Sequence, residues 1–140
     1  MFYKISSNFL ACLLAFSECV AQAPEGSLVV YSATYAATIE QSEYPVHTRY
    51  TITTKDDRLV ERVANATGSF NSFPAKVVLP AGEYRVRAQY GSGRFVIVPV
   101  VIRDGQTTEL HLDEEQLPES ADLIRLPDGK AVGWRSTHPG

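Results

Sequence analysis

Only two cysteines occur in this 140-residue chain, Cys12 and Cys19, and both lie ahead of Ala21. If that leader is removed, the remaining chain has no thiol and no disulfide, so its core alone must hold it together. Basic runs are also missing. Lys and Arg number 13 against 16 Asp and Glu, a net charge of −3, and no Lys/Arg stripe interleaves with aromatics. That excludes the electrostatic footprint of a nucleic-acid binder. Beyond the leader the longest apolar run is Phe95 to Ile102, the length of a buried strand and too short to span a bilayer, so no stable membrane insertion is expected.

Motifs of catalysis are equally scarce. No G-x-S-x-G elbow is present, the histidines (His47, His111, His138) are scattered, and Gly91-Ser92-Gly93 reads as a hairpin turn with no following helix to bind phosphate. No catalytic residue, cofactor or metal site is therefore assigned. Glu109, His111 and Asp113 leave one face of a strand. Same-face neighbours stand about 7 Å apart, however, so the expectation is a solvated face cross-paired with Arg85 and Arg87. Asp56 and Asp57 read as turn residues, and the sequon Asn65-Ala66-Thr67 as chance.

At the N-terminus, Lys4 precedes the apolar run Phe9 to Phe16, which is a signal-peptide pattern. Cleavage is expected after Ala21, with Ala23 as the alternative that would leave Pro24 at the new terminus. Neither cysteine fits a lipid-attachment site, since Cys12 comes too early and Cys19 follows Glu18. The organisation expected is a leader over 1–21, one domain over 22–113, and a C-terminal segment over 114–140 holding an acidic loop, a small hairpin and a frayed tail. Localisation is exported, periplasmic or secreted. A chain of about 120 residues can bury roughly two thirds of its unfolded surface, enough for one domain without disulfides.

The patterning is that of strands. Leu28 to Tyr35 reads as a first strand with Val29, Tyr31, Ala33 and Tyr35 on one face. Arg49 to Thr54 alternates with Tyr50 and Ile52 inward, and the Lys55-Asp56-Asp57-Arg58 turn leads into Leu59 to Ala64 as a hairpin. Asn65 to Phe73 reads as a crossing loop with Phe70 and Phe73 tucked inward. Ala75 to Leu79 and Glu83 to Tyr90 flank a Pro80-Ala81-Gly82 turn, with Tyr84, Val86, Ala88 and Tyr90 inward. Arg94 to Ile102 is apolar on both faces, and Pro99 demands a bulge or a sheet edge. Thr107 to Asp113 reads as the closing strand. No helical period of ten residues occurs, so the fold class expected is an all-β, antiparallel Greek-key sandwich of about seven strands with a C-terminal hairpin flap.

Within that pattern, Val77 to Ala88 (V-x-LPAGEYRVRA), the G-x-G turn, the valine-rich strand and V-I-x-DGQTTELHL resemble the prealbumin-like sandwiches of carboxypeptidase regulatory-like domains and their PEGA relatives. The resemblance covers Arg49 to Asp113 and implies a structural, adhesive or binding module. A hydrolase of the same fold, the transthyretin-like hydroxyisourate hydrolase, ends in Tyr-Arg-Gly-Ser. Gly133-Trp134-Arg135-Ser136 is distantly similar, but the glycine between Arg and Ser and the N-terminal histidine motif are absent. His47 and Arg49 would be its only local acid–base and anion-clamp pair.

Contact residues are expected among the aromatics. Alternation points Tyr31, Tyr35, Tyr50, Tyr84 and Tyr90 inward, which leaves Tyr44, beside Pro45, and Trp134 as exposed rings able to stack on sugars. Trp134 beside Arg135, in a hairpin around Asp128-Gly129, is also the composition of a protein hot spot. The sequence thus reads as a non-enzymatic exported structural or protein-interaction module, with a carbohydrate-binding module as the alternative and the hydrolase as a remote third. The partner expected is a protein or a glycan.

Overall fold

The structure, a computed structural model, describes residues 23–66, 73–91 and 93–140. The leader lies outside the described residues. Eleven strands and no helix occur among them: β1 Glu25–Tyr31, β2 Thr34–Ile39, β3 Ser42–His47, β4 Tyr50–Thr54, β5 Leu59–Val63, β6 Lys76–Pro80, β7 Gly82–Tyr90, β8 Arg94–Ile102, β9 Gln106–His111, β10 Asp122–Arg125 and β11 Ala131–Pro139. A five-stranded sheet in the order β10-β11-β9-β1-β6 packs on a four-stranded sheet in the order β5-β4-β7-β8, and β2 and β3 form a separate two-stranded sheet. Leu28, Val30, Val77, Leu79 and Leu110 from the first meet Tyr50, Ile52, Val86, Val98 and Ile102 from the second in one core.

The all-β sandwich matches the expectation, but two features correct it. The strands are more numerous than seven, and they are not all antiparallel: β1 and β9 pair in parallel from Ser27↔Thr107 to Tyr31↔His111. The whole four-stranded sheet intervenes in sequence between them, which supplies the long crossover a parallel pair needs. Nor is β9 a closing strand. It lies at the centre of its sheet, because β11 pairs along its far side from Trp134↔His111 to Pro139↔Gln106. The expected frayed tail is therefore a paired strand, and even Gly140 donates its N–H to the Gly105 carbonyl at 2.8 Å. The β10–β11 hairpin turns where expected, with the Lys130 N–H on Asp128 Oδ1 at 2.9 Å. It is an integral part of the sheet rather than a flap. Gly133 permits this, since a Cβ there would come 2.2 Å from the His111 carbonyl oxygen.

Hairpin β4–β5 and the inward faces of β4 and β7 follow the expected alternation, with Tyr50, Ile52, Val86 and Ala88 buried. Strand β1 does not. Leu28 and Val30 face the core, and the chain leaves the sheet at Ser32 and Ala33, so Tyr35 falls on β2, 53% exposed. Both faces of Leu28 to Tyr31 carry strand-forming residues, and alternation alone could not choose between them. Pro99 resolves to an edge: β8 is the outermost strand, in unbroken register with β7. Only one of its apolar faces is buried. Phe95, Ile97 and Val101 are 44%, 61% and 46% exposed. Phe73, expected inside, is on the surface; Phe70 lies outside the described residues.

Asn65, read from sequence as incidental, is a buried hub. It adopts a left-handed φ of 61° at the end of β5, a conformation Asn tolerates better than most residues. Its Nδ2 donates to the Val30 carbonyl and to Ser32 Oγ, each at 2.9 Å, and lies 3.4 Å from the Thr48 carbonyl. Its Oδ1 accepts from the Ala75 N–H at 3.0 Å. Ser32 Oγ in turn donates to the Thr48 carbonyl at 2.6 Å. The isosteric change Asn65→Asp keeps the acceptor but puts a second acceptor against the Val30 carbonyl. Urea titration should show it destabilised by on the order of 2–4 kcal/mol, as much as Asn65→Ala. A loss below about 0.5 kcal/mol would remove Asn65 from this role.

Candidate functional site

The outer face of the five-stranded sheet carries Trp134 together with Glu109 and His111. One register row crosses it: Tyr31 on β1, His111 on β9, Trp134 on β11 and Leu123 on β10. Side chains directly opposite share a face, and here the rings stack. His111 lies parallel to Trp134 with centroids 3.8 Å apart, and Tyr31 stacks on the other side of His111 at 4.5 Å. The imidazole thus has a ring on each face, and Trp134 Nε1 donates to Glu114 Oε2 at 2.9 Å. Arg135 points the other way. Its Nε is 2.8 Å from Asp122 Oδ2, and its Nη1 donates to the Pro99 carbonyl at 2.9 Å, tying β11 to the edge strand of the opposite sheet. Tyr44 stands on β3 of the two-stranded sheet, beside a depression lined by Tyr35, Glu43 and Pro45. Trp134, Arg135 and Tyr44 thus occupy three separate settings.

In the next row on this face, Glu109 is held between two imidazoles. His111 Nε2 is 3.1 Å from its Oε2 and His138 Nε2 is 3.0 Å from its Oε1. Burial pushes its carboxyl up, but the bonds from His138 and His111 outweigh it and hold Glu109 below the usual carboxylate value. The bond to Glu109 pushes the His138 imidazole up. The cross-pairing expected with Arg85 and Arg87 is absent, because β7 belongs to the other sheet. Arg85 instead meets Asp57 at 2.8 Å, and Arg87 lies over Phe95 at 3.8 Å. Donor atoms of His111, Asp113 and Glu114 lie within 4.8 Å of one another, the grouping among the described residues that could meet a divalent cation. His47 is buried and its Nδ1 donates to the Ser32 carbonyl at 2.7 Å. Arg49 faces a cleft elsewhere, so the two do not meet as an acid–base and anion-clamp pair.

That cleft lies on the four-stranded sheet, has a volume of about 500 Å³ and is lined by Arg49, Arg62 and Arg87 with Thr51, Phe95 and Val63. Register explains the convergence. Thr51 on β4 stands opposite Arg62 on β5 and opposite Arg87 on β7, and Arg87 stands opposite Ile97 on β8. Arg49 precedes Thr51 by two residues, the spacing that returns a side chain to the same face. Nothing in the linear sequence marks this group, since the three arginines are dispersed and become neighbours only through strand pairing. The signal that could have found it is the outward set of each strand, superposed in register.

Acid titration tests the Glu109 arrangement. A carboxyl held low in the fold contributes stability above its ordinary range and loses it as pH falls through the lowered value. A histidine held high contributes below its ordinary range and loses that as pH rises through the raised value. The Glu109–His138 contribution is therefore largest between the carboxylate and imidazole ranges. Urea midpoints of Glu109→Gln should fall below those of the unaltered chain within that window and converge with them as acid is added. Parallel curves throughout would contradict the arrangement.

No protein-family model, no curated protein and no solved structure matches the chain.

Proposed function

We propose that the chain is an exported, non-enzymatic interaction module that docks a protein partner on the outer face of its four-stranded sheet. The observation that carries this reading is the row Phe95, Ile97 and Val101 along β8, all exposed on a face that no second layer covers among the described residues. Apolar side chains gathered on one bare surface gain free energy when a partner removes them from water. Export is supported by the Lys4 and Phe9 to Phe16 pattern. The prealbumin-like resemblance adds support for a module of this kind, and its LPAGEYRVRA segment falls on β6 and β7.

Docking is by side chains rather than by strand addition. Pro99 has no N–H to offer a new strand. The carbonyl of Pro99 already accepts from Arg135 at 2.9 Å, and that of Val101 from Thr108 Oγ1 at 3.4 Å. A sugar-stacking role has less support, because His111 already covers one face of the Trp134 ring and Tyr31 the other face of His111.

Photo-crosslinking in the native compartment tests the proposal. A crosslinker at position 97 should yield a discrete protein adduct that disappears when Phe95 and Val101 are both changed to Asp, whereas one at Ser136, on the opposite sheet, should not. Equal adducts from both positions, or none from position 97, would refute it.

A further inference from the structure

We infer that the segment docking on this face is acidic, and that Arg49, Arg62 and Arg87 recognise its carboxylates; the inference rests on the docking face proposed above. All three arginines line the one cleft, and no carboxylate lines it with them. Among the described residues none of the three forms an ion pair, although neighbouring cations on the same sheet do: Arg85 meets Asp57 at 2.8 Å and Lys55 meets Glu83 at 3.1 Å. The chain carries a net charge of −3, so a cluster of unpaired cations is a local reversal of its overall sign.

Geometry favours a carboxylate over a diffuse counter-ion. Arg62 and Arg87 flank Thr51 on adjacent strands, so their backbones stand roughly 10 Å apart, with Arg49 on the same side. The Arg87 guanidinium carbon lies over the Phe95 ring, 3.8 Å from its centroid. A guanidinium can form paired bonds to a carboxylate, the geometry for which arginine is suited and lysine is not. Ile97 stands directly opposite Arg87. An extended segment whose acidic and apolar residues stand two apart, and so leave it on one side, would therefore meet cation and apolar row together. Removal of the guanidinium groups from water within a partly apolar cleft strengthens their attraction for an anion.

The test uses the full chain and a fluorescently labelled short peptide of Glu-Ser-Val-Ser repeats, which puts glutamate and valine on one side of an extended strand, with its Lys-Ser-Val-Ser counterpart as the control. Anisotropy should rise saturably with the glutamate peptide, weaken as salt is raised, and not rise with the lysine peptide. Arg62→Gln and Arg87→Gln should each weaken binding by roughly tenfold. All three arginines are exposed, so these variants do not open the core. Absence of binding, equal binding of the two peptides, or binding that survives replacement of all three arginines by glutamine would overturn the inference. If the adduct at position 97 persists under any of those results, the docking face stands and only its acidic specificity falls.

Discussion

One amide group, the side chain of Asn65, holds together segments that no strand pairing could join. Where β1 ends, its chain turns out of the five-stranded sheet and the Val30 carbonyl is buried. A buried backbone group left unpaired costs about as much as a lost hydrogen bond, with the desolvation penalty added. Asn65 reaches it from the end of β5, in the opposite sheet, while accepting the Ala75 N–H just ahead of β6. Only an amide, with donors on one atom and an acceptor on the other, can serve both sides. The position of β1 then fixes its neighbours: β6 on one edge, β9 on the other, and β11 beyond it.

From that order follow two outer faces with different characters. The five-stranded face is closed upon itself, since the row through Tyr31, His111 and Trp134 stacks ring on ring and Glu109 is held by two histidines. The four-stranded face is open. Its apolar residues on β8 are exposed, and among the described residues no carboxylate lines the cleft with its arginines. Arg135 belongs to neither face: it reaches the Pro99 carbonyl on the edge strand β8, and bare edge groups of this kind are a template for pairing with another chain.

Much of the fold was legible from local pattern. The hairpin at Lys55 to Arg58, the inward set Tyr50, Ile52, Val86 and Ala88, the edge placement of Pro99 and the turn at Asp128-Gly129 each follow from alternation or turn chemistry within a few residues. What was not legible depends on partners distant in sequence. The face of β1 was chosen by the core rather than by its own residues, and the parallel pairing with β9 leaves no local trace. The Trp134 ring looked available because nothing in sequence reveals that His111 lies against it. Asn65 looked like an ordinary loop residue for the same reason, and the arginine cleft exists only once three strands are aligned.

Hydrogen exchange at the Ala75 amide tests the role of Asn65 most directly. Ala75 precedes β6 and its N–H has Asn65 Oδ1 as its partner, so its protection reports that one bond rather than a strand ladder. This amide should exchange as slowly as those of Leu28 and Leu110 in the sheet core and become fast in Asn65→Ala. Rapid exchange at Ala75 in the unaltered chain, with β1 and β9 still protected, would contradict it.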